Sequence, residues 1–312
     1  MPELPEVTVI TEQLNKKLRG LVLESVKYDW PKKFDWGKYS IKDLKRKKVE
    51  KVERIGKIVV ISLANGQLGN WAIGDKSKKP NSLKTQQPKN PSILIHLKLT
   101  GQLIYQDAKT RIAGGHPIPP LNLAVPNKTT RVTFAFTNGG YLYFNDIRKF
   151  GWVKIIENEE SKVKEAIGMK LGPDPLKIGY EEFRDRLAKR GQARIKKLLM
   201  DQMFIAGIGN IYSDEALWRA KIHPKRSVAS LKPLEIRKLY EGIRESLKLA
   251  IEKGGSSVNA YVDSGGERGL YLSYAKAYHM TGKPCARCKT SIVREKMDSR
   301  SAHFCPKCQK LS

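Results

Sequence analysis

The chain has 312 residues, which is enough for two modest domains, and 40% of them are hydrophobic and 29% charged, as is typical of a globular protein. Its 59 lysine and arginine residues exceed its 31 acidic residues, which gives a net charge of +28. This charge favours nucleic acid as the partner; the alternatives are binding to a membrane surface, or a source organism whose proteins are generally basic. The chain has no 18-residue apolar stretch, and its start is acidic rather than basic, which argues against a membrane or secreted protein. We therefore expect the protein to stay in the cytoplasm, or wherever DNA lies.

The first half of the chain consists mainly of strand patterns. A helix is predicted first, over residues 8–18, where apolar residues recur at helical spacing. Apolar, β-branched and aromatic runs predict strands at 22–26, 58–63, 93–97, 131–137 and 141–144. Asn65-Gly66 and residues 138–140 are typical of hairpin turns. Segments 76–91 and 107–128, which are polar or rich in proline, are predicted to be long surface loops.

The second half changes to helical spacing after the proline-rich segment 171–176. Helices are predicted over 180–189, 193–200, 211–220 and 233–253, and Gly254-Gly255 would end the last one. The patterns therefore divide the chain into a strand-rich domain (1–158), a linker (159–176), a helical domain (177–278) and a small C-terminal unit (279–312).

The C-terminal unit contains all four cysteines of the chain. They form two Cys-x2-Cys pairs separated by sixteen residues: Cys285, Cys288, Cys305 and Cys308. Each pair places two thiolates on one tight turn, and the spacer suits a β-hairpin that brings the pairs together. Four sulfur ligands leave no open coordination position, so the spacing predicts one structural Zn²⁺ rather than a redox or catalytic site.

A glycine-rich joint, Gly207-Ile208-Gly209-Asn210, separates two of the predicted helices. Glycines permit tight turns, and free N–H groups at the start of the following helix can hold a phosphate. The amide of Asn210 would donate to the same oxygen. The pattern alone is also that of a plain helix–turn–helix joint, and only the basic charge and the cysteine unit favour phosphate binding.

The N-terminus, Met1-Pro2-Glu3-Leu4-Pro5-Glu6, has an unusual composition. A small second residue permits removal of the initiator methionine, after which Pro2 would present a secondary amine that can form an imine. Glu3 and Glu6 would lie close enough to move protons. The residues alone leave open the alternative that the two prolines only stiffen the terminus.

Taken together, the motifs resemble those of formamidopyrimidine-DNA glycosylases, a group that also includes the endonuclease VIII type, over nearly the whole chain. In chain order they are MPELPEV, the Gly56-Lys57 turn, HLKLTG (96–101), DIRKFG (146–151), LGPDPL (171–176), MDQ with GIGNIY (200–212), IHP (222–224) and the four-cysteine unit. The resemblance implies an α+β fold: an N-terminal β-sandwich flanked by helices, and a C-terminal helical domain with a helix-two-turns-helix motif and a zinc-finger β-hairpin. Damaged double-stranded DNA would lie in the cleft between them.

The resemblance further implies a bifunctional DNA glycosylase and AP lyase of base excision repair that needs no organic cofactor. Such an enzyme would be a bacterial-type cytoplasmic protein that associates with the nucleoid through DNA binding. No feature of the sequence indicates an oligomer, so a monomer is expected. Pro2 would attack C1′ of the damaged nucleotide and form a Schiff base, while Glu3 shuttles protons at the opening sugar. Lys57 would act as a general acid and contact phosphate, and Arg300 would grip the flanking phosphates and assist the δ-elimination that follows β-elimination. The residues implied to contact DNA are His96, Leu99, Arg148, Lys149, Phe150, Lys196 and Asn210.

Two positions depart from the pattern of the family. Members fill the gap left by an everted base with Met, Arg and Phe side chains; Arg148 and Phe150 match, whereas Leu99 replaces the Met. Leucine can wedge between bases but is less flexible, so an altered preference for the opposite base is expected. Asp174 stands where Glu is common; with Glu6 it is a candidate for lesion contact or proton relay, over a shorter reach.

The glycine-rich stretch 254–269 resembles the loop that closes over 8-oxoguanine in the purine-specific enzymes. The predicted substrates are therefore 8-oxoguanine and formamidopyrimidines. Two alternatives remain: an endonuclease VIII-like glycosylase for oxidised pyrimidines, and a non-catalytic module that binds damaged DNA through the same cleft.

Overall fold

The N-terminal part of the chain is a sandwich of two five-stranded sheets. The computed structural model describes residues 2–65, 90–116, 123–167, 171–256, 270–297 and 299–311. The strands are β1 (Leu23–Tyr28), β2 (Phe34–Asp35), β3 (Lys47–Ile55), β4 (Ile58–Asn65), β5 (Pro91–His96), β6 (Gly101–Gln106), β7 (Arg111–Gly115), β8 (Thr130–Phe136), β9 (Tyr141–Asp146) and β10 (Trp152–Glu157). Their orders are β1-β8-β9-β6-β7 and β2-β10-β5-β4-β3. The β-sandwich implied by the resemblance is confirmed.

Alternation along the strands builds the sandwich core. On β4, Val59, Ile61 and Leu63 face the inner core, while Ile58 and Val60 face the opposite side. Two short helices, α2 (Ile41–Leu44) and α3 (Glu160–Ala166), belong to this part of the chain, and Val163 of α3 covers the outer face of β4.

The C-terminal part is helical and ends in a β-hairpin. It contains α4 (Tyr180–Ala188), α5 (Ile195–Met200), α6 (Asn210–Ala220), α7 (Pro233–Glu252), α8 (Tyr271–Tyr274), β11 (Val293–Met297) and β12 (Arg300–Phe304). The turns between α5 and α6 form the implied helix-two-turns-helix motif. Gly254 and Gly255, with φ of 73° and 88°, end α7 as predicted. In the part of the chain that the structure describes, no helix is long and apolar enough to cross a membrane.

One helix, α1 (Leu4–Leu18), belongs to both cores. Its residues from Val7 onward pack between the sheets, whereas Leu4 is fully buried among α4 to α8. The backbone N–H of Leu4 also donates to the carbonyl of Gly207 at 3.0 Å. The first turn of α1 therefore fastens the N-terminus to the helical part.

The structure corrects several local expectations. Residues 111–115 of the predicted loop 107–128 form β7, because they pair with β6 and bury Ile112 in the core. The edge strand β3 was not predicted, since lysine and glutamate surround its buried Val49 and Val52. Asn65 ends β4, whereas Gly66 of the predicted hairpin turn Asn65-Gly66 lies outside the described residues. Residues 76–89 of the first long loop and 257–269 of the glycine-rich stretch lie outside the described residues.

Glu215 of α6 yields a prediction about stability. Its fully buried carboxylate accepts the N–H groups of Lys276, Ala277 and Tyr278 at 2.8–2.9 Å. Glu215→Ala leaves three N–H groups without their acceptor, that of Ala277 in a buried position, so we expect the free energy of unfolding in urea to fall by about 2–5 kcal/mol. Glu245→Ala, which removes an ion-pair partner that is 62% exposed, should cost less than about 1 kcal/mol. Equal losses in the two variants would refute this role for Glu215.

Candidate active site

A cavity of about 410 Å³ lies between the sandwich and the helical part. Six of the predicted site residues contribute to its walls: Glu3, Lys57, His96, Leu99, Asn210 and Arg300. They come from the residue before α1, the β3–β4 turn, the β5–β6 region, α6 and β12, so residues distant in sequence meet there. Met200, Gln202 and Tyr278, to which sequence reasoning assigned no function, also line it.

Glu3 sits at the N-terminal end of α6. Its carboxylate, 3% exposed, accepts the backbone N–H groups of Gly209 at 2.8 Å and Ile211 at 3.0 Å. The positive end of the helix dipole favours an anion at this place. The prediction that these N–H groups are free to hold a phosphate is therefore wrong, because a carboxylate of the same chain occupies them. Burial raises the pKa of Glu3, and the nearby Lys57 ammonium opposes that shift.

Lys57 follows Gly56 in the tight turn between β3 and β4, where Gly56 adopts a φ of 58°. Its ammonium is buried and donates to the carbonyl of Ile208 at 2.9 Å. Burial lowers the pKa of Lys57, while the carboxylates of Glu3 and Glu6 act in the opposite direction. The pKa values of Glu3 and Lys57 are thus shifted towards each other, which brings a proton donor and a proton acceptor closer to neutral pH.

Glu6 holds neighbouring segments together. One of its carboxylate oxygens accepts the N–H of Glu3 at 2.7 Å. The other accepts the hydroxyl of Tyr212 at 2.6 Å and the N–H and hydroxyl of Ser256 at 2.7 and 2.9 Å. With both oxygens engaged, Glu6 is better described as a positioning group than as the predicted proton relay. Pro2 is buried beside this network, whereas Met1 lies outside the described residues.

His96 ends β5 with its ring edge-on to Trp152 at 5.5 Å between centroids. Burial lowers the pKa of His96 to about 3, and the neighbouring Lys98 and Lys57 add to the shift. The imidazole is therefore neutral at physiological pH. Its Nδ1 accepts the N–H of Lys98 at 3.1 Å, so the ring proton resides on Nε2.

Two of the predicted base-stack residues, Arg148 and Phe150, are exposed on the surface. The guanidinium of Arg148 stacks on the ring of Phe150 at 4.8 Å, and Phe150 is 47% exposed. Lys149, between them in sequence, instead places its ammonium over the ring of Trp30 at 4.1 Å. Arg148, Phe150 and the cavity-lining Leu99 are thus available to a ligand; we call these three the wedge residues.

Lys196 does not fit the direct DNA contact predicted for it. Its ammonium is buried and donates to Asp214 Oδ1 at 2.6 Å and to the carbonyl of Ser301 at 2.7 Å. Asp214 in turn accepts the N–H of His303 at 3.0 Å. The ion pair therefore docks β12 onto α6 and fixes the backbone next to Arg300, which begins β12 and lies exposed at the cavity.

Asp174 also differs from expectation. One carboxylate oxygen accepts from Arg54 at 2.8 Å and the other accepts the N–H of Leu176 at 2.8 Å. Asp174 lies outside the cavity wall that contains Glu3 and Lys57. It fastens the segment before α4 to β3, so neither a lesion contact nor a proton relay is supported for it.

The four cysteines form a cluster suited to a metal ion. Their sulfur atoms all lie within 4.8 Å of one another, and Cys285 and Cys305 are buried. Tetrahedral zinc with bonds of about 2.3 Å places its sulfur ligands about 3.8 Å apart, which these positions accommodate. The Cys288–Cys305 separation of 3.4 Å is too long for a disulfide bond of about 2.05 Å. The four residues therefore suit a structural metal, most consistently zinc.

The close approach of Glu3 to α6 depends on Gly209. A Cβ at this position would lie 2.4 Å from the Glu3 carboxylate. We expect Gly209→Ala to displace Glu3 and lower the free energy of unfolding by about 1–3 kcal/mol. Gly191→Ala is the matched control, because its Cβ would make an ordinary 3.6 Å contact, with a change within about 0.5 kcal/mol. Chemical denaturation measures the free energy of unfolding of both variants. Equal values would contradict the close contact between Glu3 and Gly209.

Comparison with known protein families accounts for most of the chain. The formamidopyrimidine-DNA glycosylase N-terminal domain matches residues 1–153, and the H2TH domain of the same family matches residues 171–262. A zinc finger found in FPG and IleRS matches residues 282–311.

Individual relatives match over all or nearly all of their length. A formamidopyrimidine-DNA glycosylase of Pelotomaculum thermopropionicum is 36% identical, with 100% of each chain covered, and one of Enterococcus faecalis is 33% identical, covering 100% of this chain and 98% of that one.

Among solved structures, Lactococcus lactis Fpg with DNA containing an abasic site has a TM-score of 0.78 and 28% identity, with 99% of each chain covered. MutM with DNA containing carbocyclic 8-oxo-G has a TM-score of 0.78 and 28% identity, covering 99% of this chain and 100% of that one. The chain belongs to the formamidopyrimidine-DNA glycosylase family.

Proposed function

We propose that this chain is a bifunctional DNA glycosylase and AP lyase of base excision repair that removes oxidised purines through a covalent intermediate at Pro2. The observation that carries the proposal is the cavity in which Glu3 and Lys57 of the sandwich side meet Asn210 and Arg300 of the helical side. Pro2 directly precedes Glu3 and is buried beside it.

The reaction begins with the secondary amine that Pro2 presents once Met1 is removed. Its nitrogen attacks C1′ of the damaged nucleotide; a C1′–N bond forms and the bond from C1′ to the base breaks. Lys57, whose pKa is lowered by burial, acts as the general acid for the leaving group. The Pro2 nitrogen then gives its proton to the Glu3 carboxylate, whose pKa is raised by burial, and its lone pair opens the C1′–O4′ bond to form the iminium. Glu3 passes that proton to O4′ as the ring opens.

Two eliminations complete the lyase reaction. Loss of a proton from C2′ breaks the C3′–O bond and releases one phosphate, and a second elimination breaks the C5′–O bond. Arg300, exposed at the start of β12, neutralises the phosphates next to the lesion. Hydrolysis of the remaining imine returns Pro2 as a free amine.

Binding of DNA draws on the whole molecule. A net charge of +28 suits a polyanion, and Asn210 with the neutral Nε2–H of His96 would donate to backbone phosphates. The wedge residues would occupy the stack once the damaged base has been everted. The four cysteines would hold one Zn²⁺, which when bound stiffens the hairpin that carries Arg300. We expect the protein to act as a monomer.

Two observations favour oxidised purines as substrates. Solved relatives were captured with DNA containing Fapy-dG and carbocyclic 8-oxo-G. The glycine-rich sequence 254–269 could offer backbone N–H groups to a base edge, and Glu6 anchors its Ser256. Oxidised pyrimidines are the alternative substrate class.

The free amine of Pro2 provides a direct test. We would prepare the protein with Pro2 as its first residue, verified by intact mass, and the same protein with an N-terminal extension that keeps this nitrogen an amide. Each is mixed with duplex DNA containing 8-oxoguanine opposite cytosine, in the presence of borohydride. Only the protein beginning at Pro2 should give a covalent adduct and cleave the strand, because an amide nitrogen cannot form the iminium.

Lesion choice is read in the same assay with a duplex containing an oxidised pyrimidine. Faster adduct formation on that duplex would contradict the preference for oxidised purines and indicate an endonuclease VIII-like activity instead. If protein that begins at Pro2 binds an abasic site but gives no adduct on either duplex, the enzymatic proposal is contradicted. The chain would then be a non-catalytic module that binds damaged DNA.

A further inference from the structure

The wedge residues come from two turns that leave neighbouring strands. Leu99 lies in the turn between β5 and β6, and Arg148 and Phe150 lie in the turn between β9 and β10. Gly101 of β6 pairs with Asp146 of β9 at the end of their ladder. Both turns therefore start from the same point of the sheet, although Leu99 and Arg148 are far apart in sequence.

A single buried carboxylate connects the two turns. Asp146, 1% exposed, accepts the hydroxyl of Thr100 through Oδ1 and the N–H of Gly151 through Oδ2 at 2.7 Å. The same Thr100 hydroxyl accepts the N–H of Arg148 at 3.1 Å. One threonine hydroxyl thus links the residue after Leu99 to the backbone of Arg148, and Asp146 fixes the orientation of that hydroxyl.

Asp146 is itself held rigidly. Its N–H donates to the carbonyl of Thr129 at 2.8 Å, and its carbonyl accepts Nε of Arg131 at 2.9 Å. Arg131 is buried and forms an ion pair with Asp29 at 2.9 Å. The carboxylate therefore sits on an ordered part of the sheet rather than on a loop.

Both turns contain a non-glycine residue in the left-handed region. Lys98 has a φ of 50° and Lys149 a φ of 58°. Such conformations cost energy and persist where surrounding contacts over-determine them. His96 fixes the N–H of Lys98, and Trp30 receives the ammonium of Lys149. The hydrogen bonds of the Thr100 hydroxyl with Asp146 and with the N–H of Arg148 join the two strained turns to each other.

We propose that Thr100 and Asp146 are positioning residues that set the distance between Leu99 and the Arg148–Phe150 stack, and that they thereby govern how completely a damaged base is kept out of the helix. This inference rests on the proposed function. Neither side chain touches DNA; each acts through the wedge residues that it holds. Their contribution is confined to substrates in which a base must be displaced.

The test uses base eversion without chemistry. Thr100→Val keeps the shape of the side chain but removes the hydroxyl, and Thr100→Ser retains the hydroxyl as the matched control. Both changes are made in the N-terminally extended protein, which cannot react. A duplex carrying 8-oxoguanine beside 2-aminopurine reports eversion as a fluorescence increase at saturating protein. Because Thr100→Val loses two hydrogen bonds, we expect the ratio of everted to stacked base to fall by at least about fivefold in this variant and to be unchanged in Thr100→Ser.

A duplex with a tetrahydrofuran abasic site separates positioning from general damage to the fold, since no base has to leave. Thr100→Val should bind it within about twofold of the unchanged protein. Equal eversion by Thr100→Val and the unchanged protein would overturn the inference, as would an equal loss of eversion in Thr100→Ser. The inference would also be overturned if Thr100→Val bound the abasic-site duplex as much more weakly as it everts the base, or if no protein changed the fluorescence. Failure of the proposed function is detected separately, as a missing borohydride adduct from protein that begins at Pro2.

Discussion

The arrangement of the cavity depends on the Glu3 carboxylate at the first turn of α6. A buried charge is costly unless it is paired and hydrogen-bonded, and here the N–H groups of Gly209 and Ile211 and the nearby Lys57 satisfy it. Moving the N-terminus would leave both the carboxylate and the helix end unsatisfied. Since Leu4 is also buried in the helical core, Pro2 has a defined place at the junction of the two halves.

The same principle positions the other reactive groups. Buried charged side chains hold each segment by hydrogen bonds to its backbone. Lys196 and Asp214 bind the backbone of β12 next to Arg300, and Glu6 binds that of Ser256. These buried charges fix the geometry of the segments that they bind, but they are weak evidence for net stability, because an apolar pair of the same volume is often as stable. The site is therefore built on rigid elements, which catalysis by preorganised groups requires.

Sequence reasoning captured what local patterns encode. Several strands, the main helices and the four-cysteine cluster follow from apolar and β-branched runs, helical spacing and Cys-x2-Cys pairs. The arrangement of the strands in a two-layer sandwich was implied only by the resemblance to the family. The roles of Lys196 and Asp174 could not be predicted, because a motif does not reveal whether the fold exposes or buries its charged side chains. The N–H groups of the glycine joint were expected to be free, yet their partner is a carboxylate 206 residues away in sequence. Thr100 and Asp146 were visible within motifs, but only the register of β6 and β9 brings them together.

Hydrogen–deuterium exchange of the free protein tests the central interaction most directly. The amides of Gly209 and Ile211 should be protected in the unchanged protein, because the Glu3 carboxylate binds both. In Glu3→Gln, which keeps the size of the side chain but exchanges one acceptor oxygen for a donor, at least one of these amides should exchange much faster, while amides in the middle of α1 remain protected. Equal protection of Gly209 and Ile211 in the two proteins would contradict the claim that Glu3 fastens the N-terminus to α6.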